Sequence, residues 1–260
     1  MLPFVDIHVH LLAGLDDGPR TIDDALAMCE MAVADGTGTA AALAHQGDGW
    51  PEVTPDRIRA AVRELQQLLT ERAIPLRVVP SAEMLVNLDF EEDFAQGRYL
   101  TVGDRGRYAL VELPVNCSLD PRPLVDFLLG RSVIPILAHV ERYPDLLHQE
   151  DLVEEMIAMG CLVQINAGSI TAPADRRDGK VLRDWLRRNM IHFIASDGHS
   201  SRRRQPRMRE AHETISRWTS PGVADRVCSI HGSMVVNDLP WKPLNVLPRG
   251  NSGWFARLFS

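Results

Sequence analysis

The sequence predicts an α/β barrel of parallel strands wrapped by helices. Three observations predict it. Apolar runs alternate with helical patterns in about seven strand-helix units, the pattern of parallel strands joined by helical crossovers. The strand runs are nearly continuously apolar, as strands buried on both faces require. Polar residues gather where those runs end, at His10, His45, Glu83, Glu112, His139 and Asp197. In a (β/α) barrel that end of the strands is the active-site face.

The elements follow in order. The first strand is Phe4-Val5-Asp6-Ile7-His8-Val9-His10. Period-two alternation puts Asp6, His8 and His10 on one face, where two imidazoles on a rigid strand make a chelating pair. A loop punctuated by Gly14, Gly18 and Pro19 carries Asp16 and Asp17. Thr21 followed by Asp23 and Asp24 reads as the cap and acidic first turn of a helix over 22–34, closed by Asp35-Gly36. A second strand over 39–44 ends at His45, and a loop with Gly47, Gly49, Trp50 and Pro51 follows. Pro55 opens a helix over 56–72 whose apolar face is Ile58, Val62, Leu65 and Leu69. Residues 76–82 form a third strand ending at Glu83, 90–95 a short helix, and 108–113 a fourth strand carrying Glu112. A helix over 121–129 leads to a fifth strand over 133–138 and to His139. Then come a helix over 151–159 stopped by Gly160, a sixth strand over 161–166, and a helix over 178–189. A seventh strand over 191–196 ends at Asp197, and the last barrel helix covers 207–218.

Bulk properties bound the function. With 260 residues, 45% hydrophobic and 24% charged, the chain is long enough for a large core. The barrel is expected over 1–239, and 240–260 as a flexible Pro/Gly-rich tail. A net charge of -7 argues against a nucleic-acid partner. It leaves room for an anionic substrate if bound cations reverse the local field. Cys29, Cys117, Cys161 and Cys228 are widely spaced, which suits reduced thiols rather than a disulfide framework or zinc ribbon. The chain begins directly with a strand, and no apolar run reaches membrane-spanning length, so a cytoplasmic location is expected. The tail ends Trp254-Phe255-Ala256-Arg257-Leu258-Phe259. Those aromatics either pack on the barrel or dock to a partner or membrane surface.

The chemistry lies in the strand ends. His8, His10, His45, Glu83, Glu112, His139, Asp197 and His199, with Asp16 or Asp17, are too many ligands for one ion and suit two or three. Imidazole with carboxylate favours Zn, Mn or Fe over Ca or Mg. Unpaired carboxylates buried together need compensating cations. Such a cluster acidifies water and neutralises a phosphoryl group during in-line displacement. Arg142, three residues beyond His139, is placed to grip phosphate oxygens. The run Arg202-Arg203-Arg204 is mostly a solvated loop with at least one substrate anchor. No cysteine has arginine six residues on, which excludes a cysteine-based phosphatase. There is no GxSxG elbow or Walker A motif.

With these residues in place, the chain resembles the PHP (polymerase and histidinol phosphatase) superfamily. More narrowly, it resembles the metal-dependent protein tyrosine phosphatases of bacterial capsular and exopolysaccharide clusters. The resemblance runs from Val5 to Asp238 through DIHVHLLAGLDDGP at 6–19, ALAH at 42–45, SAE at 81–83, ALVELP at 109–114, PILAHVERYP at 135–144, QINAGSIT at 164–171 and FIASDGHS at 193–200. It implies a distorted (β/α)7 barrel holding three divalent transition-metal ions, Mn first, with Fe or Zn as alternatives. It implies that His8, His10, Glu83 and Asp197 hold one ion. Glu83, Glu112 and His139 would hold the second, and Asp17, His45 and His199 the third. Arg142 and Arg204 match phosphate-binding arginines, so the implied catalytic set is Arg142, Arg204, Asp197 and His199. Asp6 stands behind a histidine. Gln46 replaces the His or Arg common after the third histidine, a change expected to act on substrate contacts at the rim.

The implied activity is hydrolysis of phosphotyrosine on the tail of a polysaccharide-synthesis tyrosine kinase, which regulates capsule or exopolysaccharide production. The alternatives are a phosphoesterase for a small molecule, such as histidinol phosphate or a nucleotide, and a non-catalytic binding protein. The two glutamates and the Asp-Gly-His at 197–199 favour this superfamily over an amidohydrolase.

Overall fold

The structure, a computed structural model, describes residues 2–114, 120–242 and 244–248. Seven strands lie side by side in chain order: β1 (Phe4–His10), β2 (Thr37–Gln46), β3 (Arg77–Leu85), β4 (Tyr108–Glu112), β5 (Ile134–Leu137), β6 (Leu162–Asn166) and β7 (Phe193–Ala195). Every neighbouring pair is parallel. The ends of the sheet meet through a bridge between Val9 and Gly198. There the His10 N–H donates to Gly198 O (2.9 Å) and the Asp197 N–H to His8 O (2.8 Å). The result is the nearly closed seven-stranded barrel that the alternating pattern implied.

The helices are α1 (Ile22–Asp35), α2 (Pro55–Glu71), α3 (Phe90–Ala95), α4 (Arg122–Leu129), α5 (Pro144–His148), α6 (Glu150–Met159), α7 (Ala167–Thr171), α8 (Arg176–Arg187), α9 (Arg209–Trp218), α10 (Pro221–Asp225) and α11 (His231–Val236). The caps explain several ends. Thr21 Oγ1 accepts from the Asp24 N–H, and α1 stops at Gly36 in the left-handed region, φ 111°. Asp175 accepts from the N–H groups of Arg177 and Asp178, which starts α8 two residues earlier than its pattern suggested.

β2 and β3 run past the ends expected for them and pair His45 with Glu83 in register, so both residues sit inside strands. The helices after Trp218 were not anticipated. A π-helical turn, Arg226–Ile230, joins α10 to α11. Val235 and Val236 then close the barrel interior, in one cluster with Val5, Ile7, Leu43, Leu110, Ile136 and Phe193. The outer layer splits into two clusters, one under α1 and α2, the other against α4 to α9.

β1 corrects the simple alternation. Its register with β2 shifts between Asp6 and Val9, so Asp6 pairs with Ala40 and His10 with Leu43. Ala40 packs outward and Leu43 inward. A bulge therefore turns His8 and His10 into the barrel while Asp6 faces away from them. Asp6 does not touch an imidazole ring. Its Oδ1 accepts from the backbone N–H of His8 (3.2 Å) and of Ser196 (3.1 Å), tying β1 to β7 where the bulge interrupts the ladder. Gln46 also departs from expectation. It is buried, and donates to Val53 O and Arg98 O and accepts from the Leu100 N–H, so it ties two loops together rather than lining the rim.

After Asp238 the chain stays against the barrel for several residues. Trp241 packs edge-on against His231 with ring centres 4.2 Å apart, and the Leu247 N–H donates to Arg188 O. The aromatic end at 254–259 and Cys117 lie outside the described residues. Cys29, Cys161 and Cys228 are buried free thiols. Among the described residues, no helix is long and apolar enough to cross a membrane.

Candidate metal centre

Nine side chains from the strand ends and adjoining loops converge at the mouth of the barrel. Glu83 is at the middle. Its Oε2 lies 3.1 Å from His8 Nε2, 3.2 Å from His10 Nε2 and 3.2 Å from His45 Nδ1. Its Oε1 lies 2.9 Å from His139 Nε2. Glu112 stands beside it, 3.4 Å from His139 Nε2 and 3.7 Å from His45 Nδ1. Asp197 approaches His8 Nε2 (3.4 Å) and His199 Nδ1 (3.5 Å). At the outer edge, half-exposed Asp17 faces His45 Nε2 (3.3 Å) and His199 Nε2 (3.4 Å).

The ring orientations are held from behind. His8 Nδ1 faces Gln164 Oε1 at 3.1 Å, His10 Nδ1 faces Asp16 Oδ2 at 2.6 Å, and His199 Nδ1 faces Asp197 O at 3.0 Å. Each acceptor oxygen assigns the ring proton to Nδ1 and leaves Nε2 to face the carboxylates. Asp16 is thus the support of His10, and Asp17 is the acid turned to the centre. Gln164 was not singled out from the sequence. It also accepts from the His139 N–H (2.8 Å) and donates to Asn166 Oδ1, while Asn166 donates to Asp197 Oδ2 (2.7 Å). His139 and Asp197 adopt left-handed backbone conformations, φ 33° and 52°. Such conformations are costly away from glycine. The Gln164 contact to the His139 N–H and the His8 contact to the Asp197 N–H hold them.

The donor set fits divalent cations. Among the described residues, His8 Nε2, His10 Nε2, His199 Nε2 and Asp197 Oδ1 are buried with no hydrogen-bond partner, although carboxylate oxygens lie close to each nitrogen. Close approach without donor alignment is how ligands surround a cation. Four groups each bring their ligand atoms within 4.8 Å of one another: His10, Asp17, His45 and His199; His8, His10 and Asp197; His8, Glu83 and His139; His45, Glu83 and Glu112.

The electrostatics agree. Burial works against charge on His8, but Glu83 and Asp197 outweigh it and raise its pKa to about 9. Burial likewise opposes charge on His10, yet Asp16 and Glu83 bring it to about 10. Burial alone would raise Glu83, whereas the surrounding imidazoles hold it well below the carboxylate range. Glu112 is raised, by burial and then by Glu83. The pocket strongly favours positive charge.

Two arginines border the mouth. Arg204 pairs with Asp197 Oδ2, and Arg142 Nη1 lies 3.8 Å from the same oxygen. Both side chains are nearly half exposed. Trp50 lies parallel to His45, ring centres 5.7 Å apart.

A parallel seven-stranded barrel with this centre at the carboxyl ends of its strands defines a PHP-type metal-dependent phosphatase. More particularly, the chain belongs to the capsular polysaccharide synthesis family CpsB/CapC, whose family model matches residues 4–237. It is 29% identical over 219 residues to the tyrosine-protein phosphatase CpsB of Streptococcus pneumoniae, covering 82% of this chain and 90% of that one. It is 30% identical over 210 residues to the tyrosine-protein phosphatase YwqE of Bacillus subtilis, covering 80% and 82%. A solved structure from work on YwqE of Bacillus subtilis and CpsB of Streptococcus pneumoniae, described as unique metal-dependent tyrosine phosphatases, superposes with a TM-score of 0.86 at 26% identity, over 94% of this chain and 98% of that one.

Proposed function

We propose that this chain is a metal-dependent protein tyrosine phosphatase that hydrolyses phosphotyrosine on the tail of a polysaccharide-synthesis tyrosine kinase, and that it holds three divalent ions, Mn foremost. The observation that carries the reading is the position of Glu83, one carboxylate within 3.2 Å of ring nitrogens from His8, His10, His45 and His139. In this reading His8, His10, Glu83 and Asp197 hold the first ion. Glu83, Glu112 and His139 hold the second. Asp17, His45 and His199 hold the third. Divalent ions there supply acidified water at neutral pH and neutralise phosphoryl oxygens.

The chain's own residues do the rest. Arg142 and Arg204 bind the phosphoryl oxygens and fix the phosphorus over the centre. Asp197 turns one oxygen to the centre and the other to Arg204, so it links phosphate grip to ligand position. Water oxygen bonds to phosphorus, its proton passing to solvent, as the bond to the phenolic oxygen breaks. Phenolate, with a pKa of about 10, is a fair leaving group and takes its proton from solvent at the open mouth. A long flexible tail suits such a mouth.

The test combines metal analysis with turnover of a phosphotyrosine peptide, with and without Mn, in wild type and His139→Ala. The reading expects at least about two transition-metal ions per chain, Mn-dependent hydrolysis, and loss of both metal and rate in the variant. Turnover of histidinol phosphate faster by orders of magnitude would overturn it in favour of a small-molecule phosphoesterase. Docking of the 254–259 segment to the kinase or the membrane surface belongs to the same proposal. It predicts that truncation after Leu247 abolishes co-sedimentation with membranes carrying the kinase.

A further inference from the structure

Outside the centre, one feature of the surface is not used by the reaction. Helix α8 has two faces. Leu182, Trp185 and Leu186 are buried against the barrel. Arg176, Lys180 and Arg183 recur at i, i+4 and i+7 on another face and line one open cavity of about 580 Å³ with Pro173, Gly179 and Trp218. The spacing puts the three cations on one exposed face of the helix, away from its apolar stripe.

The three cations share one face of an acidic molecule. Acids outnumber bases in the chain, and its net charge is -7. Several surface arginines take carboxylate partners: Arg59 with Asp104, Arg98 with Asp93, Arg107 with Asp238, and Arg122 with Asp120 and Glu155. Among the described residues, no carboxylate pairs with Arg176, Lys180 or Arg183. Asp175 also lines the cavity, but its Oδ1 is engaged by the N–H groups that it caps. Trp218 supplies an aromatic surface. The Arg183 guanidinium carbon lies 4.9 Å from its ring centre, and Arg187 donates to its carbonyl (3.1 Å).

This cavity is built on the same chain segments as a groove at the mouth. Thr171 and Ala211 line a groove that also holds Asp197 and Arg204. Pro173 lies just beyond Thr171, and Trp218 ends the helix that begins beside Ala211. From Ala211 to Trp218 the rise along α9 is about 10 Å, a span that roughly three residues of extended peptide cover.

We propose that the α8–α9 cavity is a second binding site for an aryl phosphate, a phosphotyrosine of the same peptide other than the one being cleaved. Arg176, Lys180 and Arg183 take the phosphate and Trp218 takes the ring. The proposal rests on the phosphotyrosine reading above. It adds that the enzyme prefers peptides carrying more than one phosphotyrosine, because the second contact raises the effective concentration of the first.

The experiment compares two equal-length peptides, bearing one or two non-hydrolysable phosphonate analogues of phosphotyrosine, for binding to the metal-loaded enzyme by calorimetry. Wild type is expected to bind the doubly modified peptide about tenfold tighter or more. Lys180→Ala/Arg183→Ala and, separately, Trp218→Leu are expected to lose most of that gain, with turnover of p-nitrophenyl phosphate within about twofold of wild type. An equal gain in wild type and the double variant, or no gain in wild type, overturns the proposal. Binding is read without turnover, so the two readings fail separately. A wild type that does not hydrolyse singly phosphorylated peptides overturns the activity, while the affinity ratio still decides the second site.

Discussion

Gln164 Oε1 lies 3.1 Å from His8 Nδ1 and 2.8 Å from the His139 backbone nitrogen, so one amide oxygen orients two histidines of the centre. It fixes the proton of His8 on Nδ1, which points Nε2 at Glu83 and Asp197. Gln164→Leu keeps the volume and removes the acceptor. The expected outcome is metal affinity about 10–100-fold weaker, with a matching loss of rate at limiting Mn. Competition against a fluorescent chelator measures it. Unchanged affinity would mean that the amide only supports the backbone.

Arg142 and Arg204 should separate under substitution. Arg204 pairs directly with Asp197, whereas Arg142 is 3.8 Å away. Arg142→Ala is expected to lower kcat/KM on phosphotyrosine peptides by roughly 10–100-fold, the range for hydrogen bonds to a charged group, with metal content unchanged. Arg204→Ala is expected to lower kcat/KM similarly and also to weaken metal retention, because Asp197 loses its guanidinium. Steady-state kinetics with metal analysis of each variant distinguishes them.

The candidate site was legible because its residues punctuate apolar strands. In the sequence His45, Glu83 and His139 each follow an apolar run, and such a change from apolar to polar is visible locally. Gln164 is not legible in the same way, since its partner His8 is 156 residues away and nothing local marks the pairing. The outward turn of Asp6 was hidden for a related reason. A bulge is a property of two paired strands, and the period-two rule assumes that there is none. The helices after Trp218 were missed because Gly222 and Gly232 interrupt any helical pattern there.

Gly232 itself supplies a stability prediction. A Cβ there would meet Val5 O at 2.7 Å and Val5 Cβ at 2.9 Å, and this strand carries His8 and His10. Backbone cannot yield as a flexible side chain can. Gly232→Ala is expected to destabilise by about 1–3 kcal/mol, or roughly 3–10 °C in Tm. Gly222→Ala, whose Cβ would meet only Ser220 Oγ at 3.9 Å, serves as the tolerated control. Thermal unfolding followed by circular dichroism reads both.

The acid side of the stability profile should depend on His192. Its ring is buried beside Phe193 and Trp241, and Nδ1 accepts from the Val163 N–H at 3.0 Å. Burial, with His231 and Arg226 nearby, lowers its pKa from 6.5 to about 3. The folded state therefore keeps this histidine neutral at a pH where the unfolded chain protonates it. Between those two values the unfolded state binds more protons, so stability rises with pH. The contribution is complete above about pH 6.5 and is lost as the pH falls toward about 3, at a limiting slope of about 1.4 kcal/mol per pH unit. His192→Gln retains an acceptor for Val163 and removes the titration. Urea unfolding at about pH 7 and about pH 5 should show a smaller loss for the variant than for wild type. Taking the difference between the two proteins cancels the carboxylates and the histidines of the metal centre, which titrate in both. Equal losses would show that protonation of His192 does not drive acid unfolding.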